Sequence, residues 1–243
     1  MEMVSQSRGS VSQMSSMQPV APGGSGATGS AAPGGDQPYA PPAMSSSTMQ
    51  HPVRLVMPFP PKFNRVQALL FTFLSIVGFL MMIPHFFLMA VYGIALYFVN
   101  IIAFFAILFT GRYPRGMWEF VRGFIQFSFR ISSYMGVLTV GYPPFSLKEP
   151  SYGLLVEVPY PERSSRLWLF FASIAVIPVA FVNAFVMLAA GIVSFIASFV
   201  VLFTGNMAPT WYEFIRKAFQ QRLRVQAFAL WLHPKYPPFG LND

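Results

Sequence analysis

The sequence predicts an all-α integral membrane protein built from two tandem repeats, each a transmembrane helical hairpin followed by an amphipathic helix, with about four spans in total. Three observations predict this fold. Two long apolar runs, 66–111 and 167–205, contain no Asp, Glu, Lys or Arg. Charged residues make up only 10% of the chain, whereas an ordinary soluble domain carries about 25%. Finally, the second half of the chain repeats the motifs of the first half.

The chain begins with a polar segment, 1–52, that is rich in Ser, Gly, Pro, Gln and Met. Its only charged residues are Glu2, Arg8 and Asp36. A segment of this composition cannot bury enough apolar surface to offset the entropy lost on ordering. We therefore expect residues 1–52 to form a disordered tail.

The internal repeat relates residues 53–147 to residues 154–241. Most motifs recur at an offset of 94 residues, whereas the upstream motif recurs at an offset of 101. The second copy is therefore seven residues shorter between its first Arg and its Pro. The shared motifs are Phe-Thr-Gly at 109–111 and 203–205, Tyr-Pro-Pro-Phe at 142–145 and 236–239, and Met-Pro-Phe-Pro at 57–60 against Val-Pro-Tyr-Pro at 158–161.

Each copy contains the same series of predicted elements. A Pro-rich segment comes first, at Val53–Pro61 and Leu154–Pro161, and its prolines favour extended backbone. The apolar run follows and ends at Thr-Gly, a helix C-terminal signal. A second helix is then expected at about Pro114–Leu138 and Pro209–Leu232, because a proline suits the first turn of a helix.

The length of each apolar run predicts a hairpin. About 20 apolar residues cross a hydrocarbon core of about 30 Å, and each run is about twice as long. We expect the first helix to continue through Pro84 or Pro178 with a kink, and to turn near Gly93–Tyr97 or Met187–Gly191. Two hairpins would account for the four spans.

The net charge of +8 indicates contact with anionic lipid headgroups rather than with nucleic acid, because the basic residues flank the apolar runs. By the positive-inside rule, these residues predict a multi-pass protein of the cytoplasmic membrane with both termini in the cytoplasm. The flanking basic residues are Lys62, Arg65, Arg112, Arg115, Arg163 and Arg166.

The two amphipathic helices carry matched polar stripes, which are candidate functional residues. At 100° per residue, the four polar side chains of each stripe fall on one narrow face. Two interpretations stay open: the stripes face water and headgroups, or they face one another or a ligand in a partly desolvated groove. The stripes comprise Glu119, Arg122, Gln126 and Arg130 in copy one, and Glu213, Arg216, Gln220 and Arg224 in copy two.

Two further polar residues, His85 and Asn183, lie within the apolar runs. Ionisable groups at membrane depth are candidates for function, but His85 has no counterpart in copy two, where Val179 takes its place. We favour structural roles for both, with Asn183 joining helices through a hydrogen bond. The sequence has no cysteine, no His pair with metal-ligand spacing and no Gly-rich phosphate loop, so no catalytic residue, metal or cofactor is predicted.

The motifs of copy one resemble an uncharacterised bacterial membrane-protein domain family, a domain of unknown function. The resemblance is carried by Ile-Pro-His at 83–85, by the segment 107–116, by Arg130 and by Tyr-Pro-Pro-Phe-Ser-Leu at 142–147. Copy two is similar more loosely. The resemblance implies membership of the family and brings no activity with it.

The sequence leaves the function open between classes. We favour a non-catalytic scaffold or interaction subunit that binds anionic lipid and a membrane-protein partner or a second copy of the chain. The alternative is a small transporter or channel built from parallel repeats. A weaker third interpretation is a lipid-modifying enzyme that uses Glu119 and Glu213.

Overall fold

The computed structural model describes residues 51–147 and 152–241, so the predicted disordered tail lies outside the described residues except for His51 and Pro52. The described chain is mostly helical, as predicted, with five α-helices and two short strands. In chain order the elements are β1 (Arg54–Val56), α1 (Arg65–Thr72), α2 (Ser75–Thr110), α3 (Arg115–Met135), β2 (Leu155–Glu157), α4 (Arg166–Thr204) and α5 (Pro209–Ala229).

The apolar runs do not form helical hairpins, so the prediction of four spans is wrong. Helix α2 contains 36 residues and α4 contains 39, and neither is interrupted at the turns predicted near Gly93–Tyr97 and Met187–Gly191. A glycine inside a helix costs only about 1 kcal/mol, whereas a turn inside an apolar run leaves backbone groups without partners. The described residues instead contain two helices, α2 and α4, that are long and apolar enough to cross a membrane.

Both long helices continue through their prolines, Pro84 and Pro178, as predicted. The difference in length between the copies lies before Pro84. Copy one has the separate helix α1 and a break before α2 begins at Ser75, whereas α4 runs on from Arg166 without a break. A Cβ on Gly78 would lie 2.9 Å from the carbonyl oxygen of Leu70. This glycine therefore allows α2 to start close to the end of α1.

The Thr-Gly signals end both long helices, as predicted. Gly111 has a φ of 70° and Gly205 a φ of 77°, which is the left-handed conformation that glycine adopts without a steric penalty. The hydroxyls of Thr110 and Thr204 donate to the carbonyl four residues earlier and accept from the N–H two residues later. Each Thr-Gly pair thus satisfies backbone groups that the end of a helix leaves open.

Helices α3 and α5 lie within the predicted ranges and end three residues earlier. Each is followed by a non-glycine residue with positive φ, Val137 at 57° and Trp231 at 56°. The N–H groups of Leu138 and Leu232 donate back to the carbonyl five residues earlier, which is the bond that closes a Schellman motif. The two copies therefore use the same turn at equivalent positions.

The two predicted extended segments pair with each other. β1 and β2 form an antiparallel two-stranded sheet in which Arg54 opposes Glu157 and Leu55 opposes Val156. Sequence reasoning predicted the extended backbone from the prolines but not the pairing, because the pairing joins residues about 100 positions apart. The sheet thus connects the start of copy one to the start of copy two.

Each strand segment packs against the amphipathic helix of the other copy. Helix α5 contacts β1, and α3 contacts β2. The aromatic rings beside the strands repeat this exchange: Phe59 lies edge-on to Tyr212 at 4.9 Å, and Tyr160 lies edge-on to Trp118 at 5.4 Å. These pairs occupy equivalent positions in the repeat. The two copies are therefore interlocked, because the strand of each copy packs on the amphipathic helix of the other with approximate twofold symmetry.

The start of each apolar run likewise contacts the end of the other run. Arg65, at the start of run one, donates through Nη2 to the carbonyl oxygen of Thr204 at 3.0 Å, and Arg166 donates to that of Phe109 at 3.0 Å. A Cβ on Gly205 would lie 2.9 Å from Nε of Arg65, so a side chain at this position would require the Arg65 side chain to shift. Each run therefore starts where the other run ends.

The buried core lies between α3, α5 and the strands, and the long helices contribute only one side to it. The buried residues of α2 are spaced as one stripe along the helix, while its other apolar residues are exposed. In the most apolar window of each helix, only 11% of α2 and 22% of α4 is buried. The stripe consists of Gly78, Met82, His85, Ala103 and Ile107.

Candidate functional site

The polar stripes lie against the strands rather than against each other. Burial increases along each stripe, since Glu119 is exposed whereas Arg130 is fully buried. Helices α3 and α5 meet through other residues: the Arg222 guanidinium lies 5.2 Å from the Phe129 ring, and Phe129 packs edge-on against Phe219. The stripes therefore do not face one another, and burial is confined to their later residues, such as Arg130, while Glu119 is exposed.

The first strand–helix cleft lies between β1 and α5, and Gln220 connects its two walls. The Gln220 Nε2 donates to the carbonyl oxygen of Val53 at 2.8 Å, and its Oε1 accepts from the N–H of Leu55 at 2.5 Å. Val53 and Leu55 are both buried. The amide of Gln220 therefore satisfies the free edge of β1 as a neighbouring strand would.

His51 lies at the start of β1 and lines the same cleft. Its Nδ1 accepts from the N–H of Val53 at 3.2 Å, and its Nε2 is buried without a hydrogen-bond partner among the described residues. Burial, together with the positive charges of Arg224, Lys235 and His233, lowers the pKa of His51 to about 4. Burial is the largest of these causes. The imidazole is therefore neutral at pH 7.

The charged residues of this cleft are mainly arginines. Arg216 forms a bidentate ion pair with Glu213, with Nε–Oε2 and Nη2–Oε1 distances of 2.8 and 2.6 Å. The hydrogen bonds from Arg216 hold the pKa of Glu213 below its usual value. The cavity has a volume of about 210 Å³ and is lined by His51, Arg54, Leu55, Val56, Arg216, Gln220 and Arg224.

The second cleft lies between β2 and α3 and has a different charge. Its volume is about 500 Å³, and its charged lining residues are Glu119, Arg122 and Glu157. The Arg122 guanidinium lies 5.6 Å from the Trp118 ring, and Arg122 Nη1 lies 3.5 Å from the carbonyl oxygen of Val156. The lining thus carries two carboxylates and one guanidinium, and it is not a basic site.

Arg130 is fully buried in α3 and holds the chain that follows this helix. Its Nη1 donates to the carbonyl oxygen of Ser146 at 2.9 Å, and its guanidinium lies 5.9 Å from the Tyr152 ring. The Tyr152 hydroxyl lies 2.9 Å from that of Thr139, and burial raises the pKa of Tyr152 to about 12. These contacts give Arg130 a structural position at the base of α3.

His85 contacts the turn that follows α3. Its Nε2 lies 2.9 Å from the carbonyl oxygen of Pro143, its Nδ1 lies 3.1 Å from the Tyr142 hydroxyl, and its ring stacks on Phe145. Tyr142 also donates to the carbonyl oxygen of Met81, three residues before the helix proline. These contacts support a structural role for His85.

Copy two repeats the tyrosine contact without the histidine. The Tyr236 hydroxyl donates to the carbonyl oxygen of Ala175, which is also three residues before the helix proline. Both turn tyrosines therefore stabilise the proline regions of α2 and α4, a role that sequence reasoning missed. The equal spacing of 61 residues in both copies is a signal that could have indicated it.

The remaining predicted polar residue, Asn183, is half-buried in α4. Its Oδ1 is buried without a hydrogen-bond partner in the part of the chain that the structure describes. The interhelical hydrogen bond expected of it stays a prediction. Within 51–147 and 152–241, no three acidic or His side chains lie together in a way that could hold a metal ion.

Sequence reasoning also missed His51 and Arg54 as cleft residues. At the upstream offset of 101, His51 corresponds to Tyr152 and Arg54 corresponds to Leu155. This loss of basic residues in copy two was visible in the sequence. The sequence alone does not show that these positions line a cleft. That follows only from the packing of α5 against β1, which joins residues more than 160 positions apart.

The fold and the clefts define a class: a mostly helical chain of two interlocked copies with two long, exposed apolar helices. The chain belongs to the family described as Domain of unknown function (DUF4389), which matches residues 74–146 and 166–240. The predicted resemblance, with two tandem copies, is confirmed. Both strands lie outside the matched residues. No curated protein and no solved structure matches the chain.

Proposed function

We propose that this protein is a non-catalytic scaffold or interaction subunit of the cytoplasmic membrane, anchored by α2 and α4. The observation that carries the proposal is the exposure of their apolar surface from end to end: Ile76 is 76% exposed and Phe203 is 72% exposed. The core helix of a soluble protein would be mostly buried, and a soluble monomer rarely exposes so long an apolar surface. Lipid is the partner that such a surface fits.

The basic residues at the ends of the runs support contact with lipid headgroups. All six of the flanking Lys and Arg residues predicted to set the orientation are exposed. A basic residue near an anionic leaflet contributes about 1 kcal/mol of attraction. The head-to-tail contacts of Arg65 and Arg166 bring these residues together at the ends of the two long helices.

The pairing of the strands supports a particular topology. β1 precedes α2 and β2 follows it, yet the two strands are paired. Arg54 and Glu157 in these strands would be costly in hydrocarbon, so the sheet belongs in water or among headgroups. We therefore infer that both ends of α2 and of α4 lie on one face of the bilayer, so that each uninterrupted helix lies along that face with its apolar side in lipid. The positive-inside rule makes that face cytoplasmic, together with both termini.

Cysteine labelling tests this topology directly, because the sequence contains no native cysteine. Lys62→Cys lies before the first run and Arg112→Cys lies after it. We expect a membrane-impermeant maleimide to label both variants in inside-out vesicles and neither in right-side-out vesicles. Labelling of the two from opposite faces would show that α2 crosses the bilayer once, and the proposed topology would be wrong. The cysteine-free parent is the control.

Topology also separates the scaffold from the transporter. Helices that lie along one face provide no path across the bilayer, and Glu213, held ionised by Arg216, is a poor proton donor for catalysis. We expect chemical cross-linking in native membranes to trap a second copy or another membrane protein at fixed stoichiometry, and reconstituted liposomes to show no solute flux. Flux above that of empty liposomes would favour the transporter.

A further inference from the structure

The two long helices are nearly twice as long as a hydrocarbon core is thick. At 1.5 Å per residue, the 36 residues of α2 and the 39 residues of α4 extend about 54 Å and about 58 Å. To fit a core of about 30 Å, α4 would have to tilt by about 60°, whereas spanning helices tilt by roughly 0–40°. Apolar side chains reach both ends of α4, since Leu167 is 71% exposed and Phe203 is 72% exposed. A spanning arrangement would therefore leave apolar surface in water.

The rest of the described fold lies on one side of these two helices, which we call the apolar layer. Helix α2 contacts α3, and α4 contacts α5. On α4, Leu169, Ala172 and Val179 share one helical face and are buried, whereas Phe181 and Phe185 are exposed. A helix without a charged face would not lie at a membrane surface by itself. Here α3 and α5 cover the side that would otherwise meet water.

Basic side chains lie at both ends of the apolar layer. Arg166 is the first residue of α4 and donates to the carbonyl oxygen of Phe109, near the end of α2. Arg65 donates to the carbonyl oxygen of Thr204, the last residue of α4. Both arginines are exposed, and their guanidinium groups favour the level of the lipid headgroups. With one such group at each end, α4 fits the boundary between headgroups and acyl chains along its whole length.

We propose that this protein bends the membrane, because the apolar layer occupies area in the cytoplasmic leaflet and none in the opposite leaflet. The inference rests on the proposed topology and adds a mechanical activity to the proposed scaffold. A helix about 10 Å in diameter fits within a leaflet of about 15 Å, and α2 and α4 together cover roughly 1,100 Å² of it. The leaflet that contains them expands relative to the other, so the bilayer curves with the protein on its convex side.

The test adds the full chain from outside to preformed vesicles of phosphatidylcholine and the anionic lipid phosphatidylglycerol. Detergent below its solubilising concentration softens the vesicles and is then removed. The charged side of the folded protein does not cross the bilayer, so the apolar layer enters the outer leaflet alone.

Electron cryomicroscopy measures the resulting diameters. When the apolar layer covers about a tenth of the outer leaflet, the difference in area between the leaflets fits a sphere of about 1,200 Å in diameter. Vesicles that start at about 2,500 Å should therefore give way to vesicles or tubules that are about twofold narrower.

Paired substitutions on the exposed side of α2 test the mechanism. Ile94 and Phe98 lie one turn apart near the middle of α2, and both are exposed, so changing them leaves the core intact. Ile94→Glu with Phe98→Glu places two carboxylates among acyl chains, which is costly and raises the middle of α2 toward water. At equal amounts of bound protein, we expect about half of the narrowing to be lost, because α2 supplies about half of the apolar layer. The matched control, Ile94→Leu with Phe98→Leu, should behave as the parent does.

An equivalent pair in α4 keeps the test decisive if the α2 variant does not fold. Phe181→Glu with Phe185→Glu changes two exposed residues one turn apart, and it should lose a similar share of the narrowing. Phe181→Leu with Phe185→Leu is its control. Parent protein that binds without narrowing the vesicles would overturn the proposal. Glutamate pairs that narrow the vesicles as the parent does would also overturn it, and would assign the bending to crowding of protein at the surface.

Cysteine labelling on the same vesicles separates this inference from the proposed function. Labelling of Lys62→Cys and Arg112→Cys from outside, without narrowing, would overturn membrane bending and leave the proposed topology standing. Labelling of the two from opposite faces would overturn the topology, and the bending with it. Labelling of both from outside, together with narrowing, would support both proposals.

Discussion

The β1–α5 and β2–α3 clefts are built from equivalent positions of the two copies, yet their linings differ in charge. The first has Arg54 and two further arginines, whereas the second has Glu119, Arg122 and Glu157. Their frames match closely, down to the edge-on aromatic pair beside each strand. The comparison teaches that the repeat sets the backbone frame, while a few substitutions set the chemistry of each cleft.

The largest expected difference concerns the glutamines of the two stripes. Gln220→Leu would leave the buried carbonyl of Val53 and the buried N–H of Leu55 without partners. Since each unsatisfied buried group costs about 1–3 kcal/mol, we expect a loss of roughly 2–4 kcal/mol in stability. Gln126 makes no side-chain hydrogen bond among the described residues, so Gln126→Leu should cost under about 1 kcal/mol.

Denaturant unfolding of both glutamine variants in detergent measures this difference. A similar loss in both would show that Gln126 contributes to its cleft in a way the described contacts do not include. A loss in neither would show that the edge of β1 finds other partners. Gln220→Glu keeps the shape and the acceptor but removes the donor to Val53, and it should fall between the parent and Gln220→Leu.

The second prediction concerns acid sensitivity. The folded chain holds the pKa of His51 at about 4 through burial and the charges of Arg224, Lys235 and His233, whereas an unfolded His titrates near 6.5. Between these values the unfolded chain binds more protons, so stability is complete above about pH 6.5 and falls as the pH drops toward 4. We expect a loss of about 3 kcal/mol.

His51→Tyr should reduce this slope, because a tyrosine does not titrate in that window. Part of the slope should persist, since burial and Lys235 also lower the pKa of His233. The matched control is Tyr152→Phe in the other cleft, which should leave the slope unchanged because burial raises the pKa of Tyr152 to about 12. Melting temperatures from pH 4 to pH 8 measure the effect. An unchanged slope in His51→Tyr would assign the acid sensitivity to other groups.

The smallest expected effect concerns the two Glu–Arg pairs. Only Glu213 and Arg216 form an ion pair among the described residues, and the Glu213 side chain is 46% exposed. An exposed pair at this spacing is worth at most about 0.5 kcal/mol, so Glu213→Gln should cost about that and Glu119→Gln nearly nothing. The pair contributes above the unfolded pKa of about 4.3, and its contribution is lost as the pH falls through the lower folded pKa. A loss of several kcal/mol would indicate a desolvated pair.

Much of the local structure could be predicted, whereas the contacts between the copies could not. The Thr-Gly helix ends, the Pro-rich extended segments and the starts of α3 and α5 follow from residues within one or two turns of each other. The uninterrupted α2 was missed because span length was used to place a turn that no residue near Gly93 requires. His51 and Arg54 were missed because only the tertiary contact with α5 makes them members of a cleft.

By itself, the sequence determined the helical class, the two tandem copies, their family and the ends of most helices, because hydropathy, proline and glycine act on the chain locally. Only the tertiary structure decided that each strand packs on the helix of the other copy, that each run begins where the other ends, and that the arginines of β1 and α5 share one cavity. Such pairings join positions 34 to 167 residues apart, and no local preference encodes which distant partner buries a given surface.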